Sequence, residues 1–237
     1  MFRHILSGGD MQTYIISILL TLPIILLSLS LHETAHGFAA WRLGDPTARN
    51  LGRLTLNPMK HLNPLGFLCM MVAGFGWANP VPVNARYFRK PRRDMALTSL
   101  AGPVSNLLLA LVFLLLLRFL GLGVLWEQVF LAPSEFTRNL AYFAILFLYY
   151  GVSMNVTLAV FNLLPVPPLD GSRILMALLP WQLYYKVMRY ERVIYIVLLL
   201  ALAVGVLTPV LNFLTDIVMK LLFSAGLLKD TYFWYVI

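Results

Sequence analysis

Four stretches of this chain, each longer than twenty residues, contain no Asp, Glu, Lys or Arg: Met11–Leu31, Met95–Leu117, Asn139–Leu169 and Val193–Thr215. A run of about twenty apolar residues, coiled as a helix, matches the hydrocarbon thickness of a bilayer. Inside lipid, a helix also satisfies its own backbone polar groups. The third run stays apolar to about Leu164, and Pro209 interrupts the fourth. A weaker stretch from Pro209 to Leu228 contains Asp216 and Lys220, spaced as a helix-surface pair. Only 12% of the 237 residues are charged and 60% are apolar, against about 25% charged in an ordinary soluble domain. The expected fold is an all-α membrane protein, a multi-pass helical bundle forming one embedded unit over residues 1–237. Spans are expected at about 11–43, 94–120, 138–164 and 190–208, with 209–228 as a further candidate. The first run is longer than a signal-peptide core and lacks a small-residue cleavage site, so a cleaved leader is not expected.

Lys and Arg placement orients such a bundle. The loop after the first span carries Arg42, Arg49, Arg53, Lys60, Arg86, Arg89, Lys90, Arg92 and Arg93, and the loop after the third carries Arg173, Lys186, Arg189 and Arg192. Only Arg3, Arg118 and Arg138 fall on the other side, and Lys229 joins the larger group if the fifth stretch crosses. The N-terminus is therefore expected outside and both basic loops in the cytoplasm, in the plasma (inner) membrane. The net charge of +8 is then explained by contact with anionic lipid, and nucleic acid is not expected as a partner. Residues 65–84 are apolar at first but too short to cross. Pro64 and the Asn79-Pro80-Val81-Pro82-Val83 run favour extended backbone over helix there, as a re-entrant or interfacial element.

At the end of the first span stands His32-Glu33-Thr34-Ala35-His36, an HExxH pattern. On a helix the two histidines lie roughly 40° apart, so both imidazoles can reach one metal ion. Glu33 falls close enough to act on a water at that site. Ionisable groups at membrane depth are costly and usually functional. Two of the four histidines lie in this pattern, which points to zinc, one ion per chain. The lone cysteine, Cys69, excludes a cysteine-rich zinc site and an internal disulfide. His61 reads as a neutral loop histidine, and His4 lies on the opposite face from the motif.

A catalytic zinc needs a third protein ligand and an open position. Asp170, at the end of Asn162-Leu163-Leu164-Pro165-Val166-Pro167-Pro168-Leu169-Asp170-Gly171, returns to the face of His36 after two further crossings. The alternative is that Asp170 caps a short helix starting near Ser172, since Asp-Gly is good turn chemistry.

HETAH at 32–36, Gly102-Pro103-Val104-Ser105-Asn106 and the Asn162–Gly171 run, in this order within apolar helices, resemble the site-2 protease family of intramembrane zinc metalloproteases. Gly52–Pro58 and Asn79–Asn84 are similar to its compact bacterial and archaeal branch, without PDZ or CBS domains. The resemblance implies a three-helix catalytic core, zinc on His32, His36 and Asp170, and Glu33 as general base. It also places Asn106 near the active site, where its amide would hold the substrate carbonyl or oxyanion. The alternative for Asn106 is interhelical hydrogen bonding. Asn155 and Asn162 are read as structural, with Asn162 as a group that orients the Asp170 loop.

The activity expected is hydrolysis of peptide bonds in or near transmembrane segments, at the cytoplasmic side. The partners expected are single-pass membrane protein substrates and the lipid bilayer, with a homo-oligomer left open. The rival is a catalytically silent scaffold that binds membrane helices. Intact HETAH argues against it, and no inverted repeat supports a transporter. The Pro-Val-Pro-Val segment is a candidate edge for an unwound substrate strand.

Overall fold

The structure is a computed structural model that describes residues 11–73 and 76–224. Arg3, His4, Lys229, residues 225–228 of the fifth stretch and residues 74 and 75 of the proposed re-entrant element lie outside the described residues. The first long helix, α1 (Met11–Arg42), continues well past its last purely apolar residue, because His-Glu-Thr-Ala-His-Gly-Phe-Ala-Ala has no breaker strong enough to stop it. Gly44, with φ of 111°, ends it in a backbone region that favours glycine. A single turn, α2 (Thr47–Asn50), follows.

Residues 64–73 form a helix, α3 (Pro64–Ala73), where the sequence favoured extended backbone. Proline is tolerated at a first helical position, where its missing N–H has no intrahelical partner to lose. Asn63 supplies the cap: its Oδ1 accepts the Gly66 N–H at 2.9 Å. The extended portion is confined to 76–84. It is tied to the loop before α3 by an isolated antiparallel bridge between Leu62 and Ala78. Gly66 lets the two halves close up, since a Cβ there would collide with the Trp77 backbone.

Helix α4 (Pro91–Leu116) starts with Pro91 in its first turn, and Asp94 reaches back to accept the Lys90 N–H at 2.9 Å. A π-helical stretch over Leu117–Leu125 leads into α5 (Trp126–Leu131). Helix α6 (Glu135–Leu163) is capped by Ser134, whose hydroxyl accepts the Thr137 N–H. Short α7 (Asp170–Leu178) and α8 (Trp181–Met188) follow. The chain then forms α9 (Glu191–Val204) and α10 (Thr208–Ser224).

Among the described residues, three helices are long and apolar enough to cross a membrane: Ile15–Arg42, Pro91–Leu120 and Glu135–Leu163. Where the sequence placed a fourth span and a fifth stretch, α9 and the next helix meet at 84°. At about 1.5 Å per residue, each is short of a 30 Å hydrocarbon core. Gly205, at φ of 84°, caps α9 in the left-handed region, and Pro209 lies in the first turn of α10.

Helix α4 is central, packed against α6, α1 and α7. Its Ala110, Phe113 and Leu114 meet Ile24 of α1 and Ile145, Leu148, Val152 and Val156 of α6 in the buried core. Gly151 allows that approach, because a side chain there would run into the Phe113 ring. On the outward faces, Leu19, Leu108 and Leu140 are exposed, as lipid-facing positions should be.

Candidate metal centre

Helix α1 presents His32 and His36 on one face, one turn apart, with their rings edge to face at a centroid distance of 4.5 Å. Their Nε2 atoms are 3.0 Å apart. Asp170 closes the triangle, its Oδ2 lying 3.2 Å from each Nε2. Among the described residues, these three form the group of potential ligands close enough to share one ion. Asp170 opens α7 without capping it: the helix has no side-chain cap, and the carboxylate turns to the histidines. Gly171 presses the α7 start onto the end of α6, where a Cβ would overlap the Leu163 carbonyl.

The hydrogen bonds at the far side of each ring fix what faces inward. The His36 Nδ1 lies 2.7 Å from the Thr98 carbonyl oxygen, which can only accept, so Nδ1 carries the proton. The His32 Nδ1 lies 2.6 Å from Asn106 Oδ1. The orientation of Asn106 is set in turn, because its Nδ2 donates to the Ser28 carbonyl at 3.3 Å and to Asn155 Oδ1 at 3.1 Å. Asn155 is anchored likewise, its Nδ2 donating to the Gly151 carbonyl at 2.8 Å. Held this way, the rings turn both Nε2 atoms toward each other and toward a carboxylate oxygen. Asp170 Oδ2 is itself buried without hydrogen-bond geometry to any group.

Three nitrogen and oxygen atoms facing one another at 3.0–3.2 Å are held together by a shared proton or by a cation between them. Ligand atoms about 2.0–2.2 Å from a tetrahedral zinc are roughly 3.3–3.6 Å apart, a few tenths of an ångström wider than these. The donor set fits zinc in chemistry, and in spacing to within that small difference. Gly102 of α4 completes the cradle, since a Cβ there would push into the imidazoles of both His32 and His36.

Glu33, adjacent in sequence, is buried. Its Oε2 accepts the Val81 N–H at 2.8 Å. The Asn106 amide, expected as a candidate for the oxyanion, has both ends engaged by His32, Ser28 and Asn155. Asn162 donates to Leu158 in its own helix at 2.9 Å. His61 is buried rather than open on its loop, its Nε2 lying 2.7 Å from the Thr55 carbonyl. Sequence reasoning missed Thr98 and the Val81 N–H, whose contributions are backbone atoms that no side-chain pattern reveals. Asp45, buried completely and bonded to the 79–84 segment, was signalled only by the turn chemistry of Gly44-Asp45-Pro46-Thr47.

The sequence profile of peptidase family M50 matches residues 20–207. The YwhC protein of Bacillus subtilis (strain 168) is 43% identical over 208 residues, covering 85% of this chain and 89% of that protein. Rip2 of Mycolicibacterium smegmatis is 38% identical over 154 residues, 62% of this chain and 52% of its own length. An archaeal protein from Methanocaldococcus jannaschii is 31% identical over 113 residues, 47% of this chain and 49% of its own. All three are zinc metalloproteases by name, and no solved structure matches. With a matching profile over most of the chain and three apolar helices around a His-His-Asp cluster, the chain belongs to peptidase family M50, the site-2 proteases, as a multi-pass membrane zinc metalloprotease.

Proposed function

We propose that His32, His36 and Asp170 hold the zinc ion, and that the enzyme hydrolyses peptide bonds in or near transmembrane segments at the cytoplasmic side of the membrane. The observation that carries this is the meeting of three lone-pair atoms at the end of a membrane-length helix. When bound there, zinc supplies Lewis acidity toward water and the scissile carbonyl. Glu33 is the general base: with Oε2 held by the Val81 N–H, Oε1 takes the proton of the attacking water and returns it to the leaving nitrogen. Asn106 acts on His32, holding the tautomer whose Nε2 faces the ion. That reading replaces an oxyanion role for its amide.

Substrates are single-pass membrane proteins whose helix unwinds locally to expose a carbonyl. The 79–84 segment is a candidate edge for the unwound strand. Pro80 and Pro82 have no N–H to donate and the Val81 N–H is taken by Glu33, so backbone donation to the strand runs through Val83. The cytoplasmic placement rests on the excess of Lys and Arg in the two loops flanking the site.

The test compares the membrane proteomes of native cells carrying wild-type enzyme and Glu33→Gln. Short single-pass fragments should accumulate in the mutant and thereby name the substrates. If none accumulates under several stresses while zinc content is normal, the scaffold reading replaces this one.

A further inference from the structure

The segment Asn79–Asn84 has no regular secondary structure, yet it is hydrogen-bonded at both ends and at Val81. At its start, the Asn79 N–H donates to the His61 carbonyl at 2.7 Å, and the Asn79 amide donates to the Leu62 carbonyl at 3.0 Å. Arg53 grips the same end, its Nη2 donating to the Asn79 carbonyl at 2.7 Å and the Pro80 carbonyl at 3.3 Å. At the far end the Asn84 N–H donates to Asp45 Oδ2 at 2.6 Å. Asp45 is wholly buried, and its Oδ1 is fixed by the Thr47 N–H at 2.9 Å. Between these two anchors the Val81 N–H meets Glu33 Oε2 at 2.8 Å. Val81 itself is buried, seated where Gly37 of α1 leaves room beside it. With prolines on either side, no adjacent backbone N–H can substitute for it.

We infer that Asn79–Asn84 is a positioning strap for the general base: the Val81 N–H aims the Glu33 carboxylate, and Asp45 and Arg53 hold the strap at the height where it can. This rests on the reading of Glu33 as the base. A carboxylate on a free side chain rotates among several staggered positions. One held at Oε2 presents Oε1 in one direction, which favours a fixed geometry for proton transfer. Asp45 and Arg53 are thus positioning residues that act through the strap and do not touch substrate.

Proline at 81 removes the N–H while remaining compatible with extended backbone, and alanine keeps the N–H while trimming the side chain. The experiment measures kcat, KM and zinc content of Val81→Pro and Val81→Ala, as full-length enzyme in bicelles with a single-pass substrate. Val81→Pro is expected to turn over at least ten-fold more slowly than Val81→Ala, with KM within two-fold and a full complement of zinc. Equal kcat in the two variants, or a difference confined to KM, overturns the inference, since a strap that merely gripped substrate would move KM. If Val81→Pro loses zinc or fails to fold, Arg53→Lys against Arg53→Ala decides. Lysine can still donate to the Asn79 carbonyl and should restore at least half of the kcat that alanine loses, and no restoration overturns the inference. Glu33→Gln separates the two levels: residual turnover there defeats the base reading itself, whereas an inactive Glu33→Gln beside equal Val81 variants defeats only the strap.

Discussion

The side chains that touch the ion site are set by groups one shell further out, and each is replaceable without altering a ligand. Asn155 is the most remote of these. Its Oδ1 holds Asn106, and Asn106 holds His32. Asn155→Leu should lower zinc affinity by about ten-fold, in line with losses of roughly 10–100-fold when a ligand's partner is removed. Competition with a chromogenic chelator measures it, and wild-type affinity in the variant would show that His32 needs no such support. Gly102→Ala should do at least as much harm, because a Cβ there presses on both imidazoles. Zinc stoichiometry after dialysis reads that outcome. At this scale the sequence was legible where geometry follows helical spacing: the meeting of His32 and His36 on one face followed from their interval. Asn155 was legible as a structural polar group but its target was not, because that depends on how α4 and α6 approach. The Val81 N–H was beyond reach, being identical in kind to every other peptide N–H.

Among the elements, α1, α4 and α6 were readable from uninterrupted apolar length, and their approximate ends from charge. The loop elements were less so, and the reason is specific. Pro64 breaks a helix that tries to pass through it but favours one that begins at it, and the choice was made by Asn63 as cap. Asn63→Ala should therefore destabilise α3 by about 0.5–2 kcal/mol. Faster amide exchange in residues 64–69, with little change in α4, would register it. The packing of α4 on α6 has a sharper requirement. Gly151→Val adds bulk against Phe113, and overpacking of this kind costs about 1–3 kcal/mol. Thermal unfolding should shift downward, and Gly151→Val with Phe113→Ala should recover part of the loss. An unshifted midpoint in the single variant would mean the two helices part easily. The break between α9 and α10 was signalled by Pro209, but its 84° angle was not, since an apolar run gives length and not direction.

For the molecule as a whole, the basic loops and the ion site are expected on one side of the membrane. In a Cys69→Ser chain, Arg89→Cys should react with an impermeant thiol reagent only when the cytoplasmic face is opened. Labelling in intact cells would invert the orientation. The site is also assembled from distant parts of the chain. His32, Glu33 and His36 belong to the first long helix, while Asp170 opens a helix that follows α6, and Arg173 of that helix is paired with Glu191 at 3.3 Å. Synthesis proceeds from the N-terminus, so the ribosome delivers Glu33 and two imidazoles well before the carboxylate that completes the set. A nascent chain carries His32, Glu33 and His36 into the membrane among other unfolded helices, yet lacks Asp170, the third of the clustered donors. For a zinc site built on these three donors, the order in which the pieces are made is a safety catch, released only when α6 has been threaded and the turn to Asp170 made.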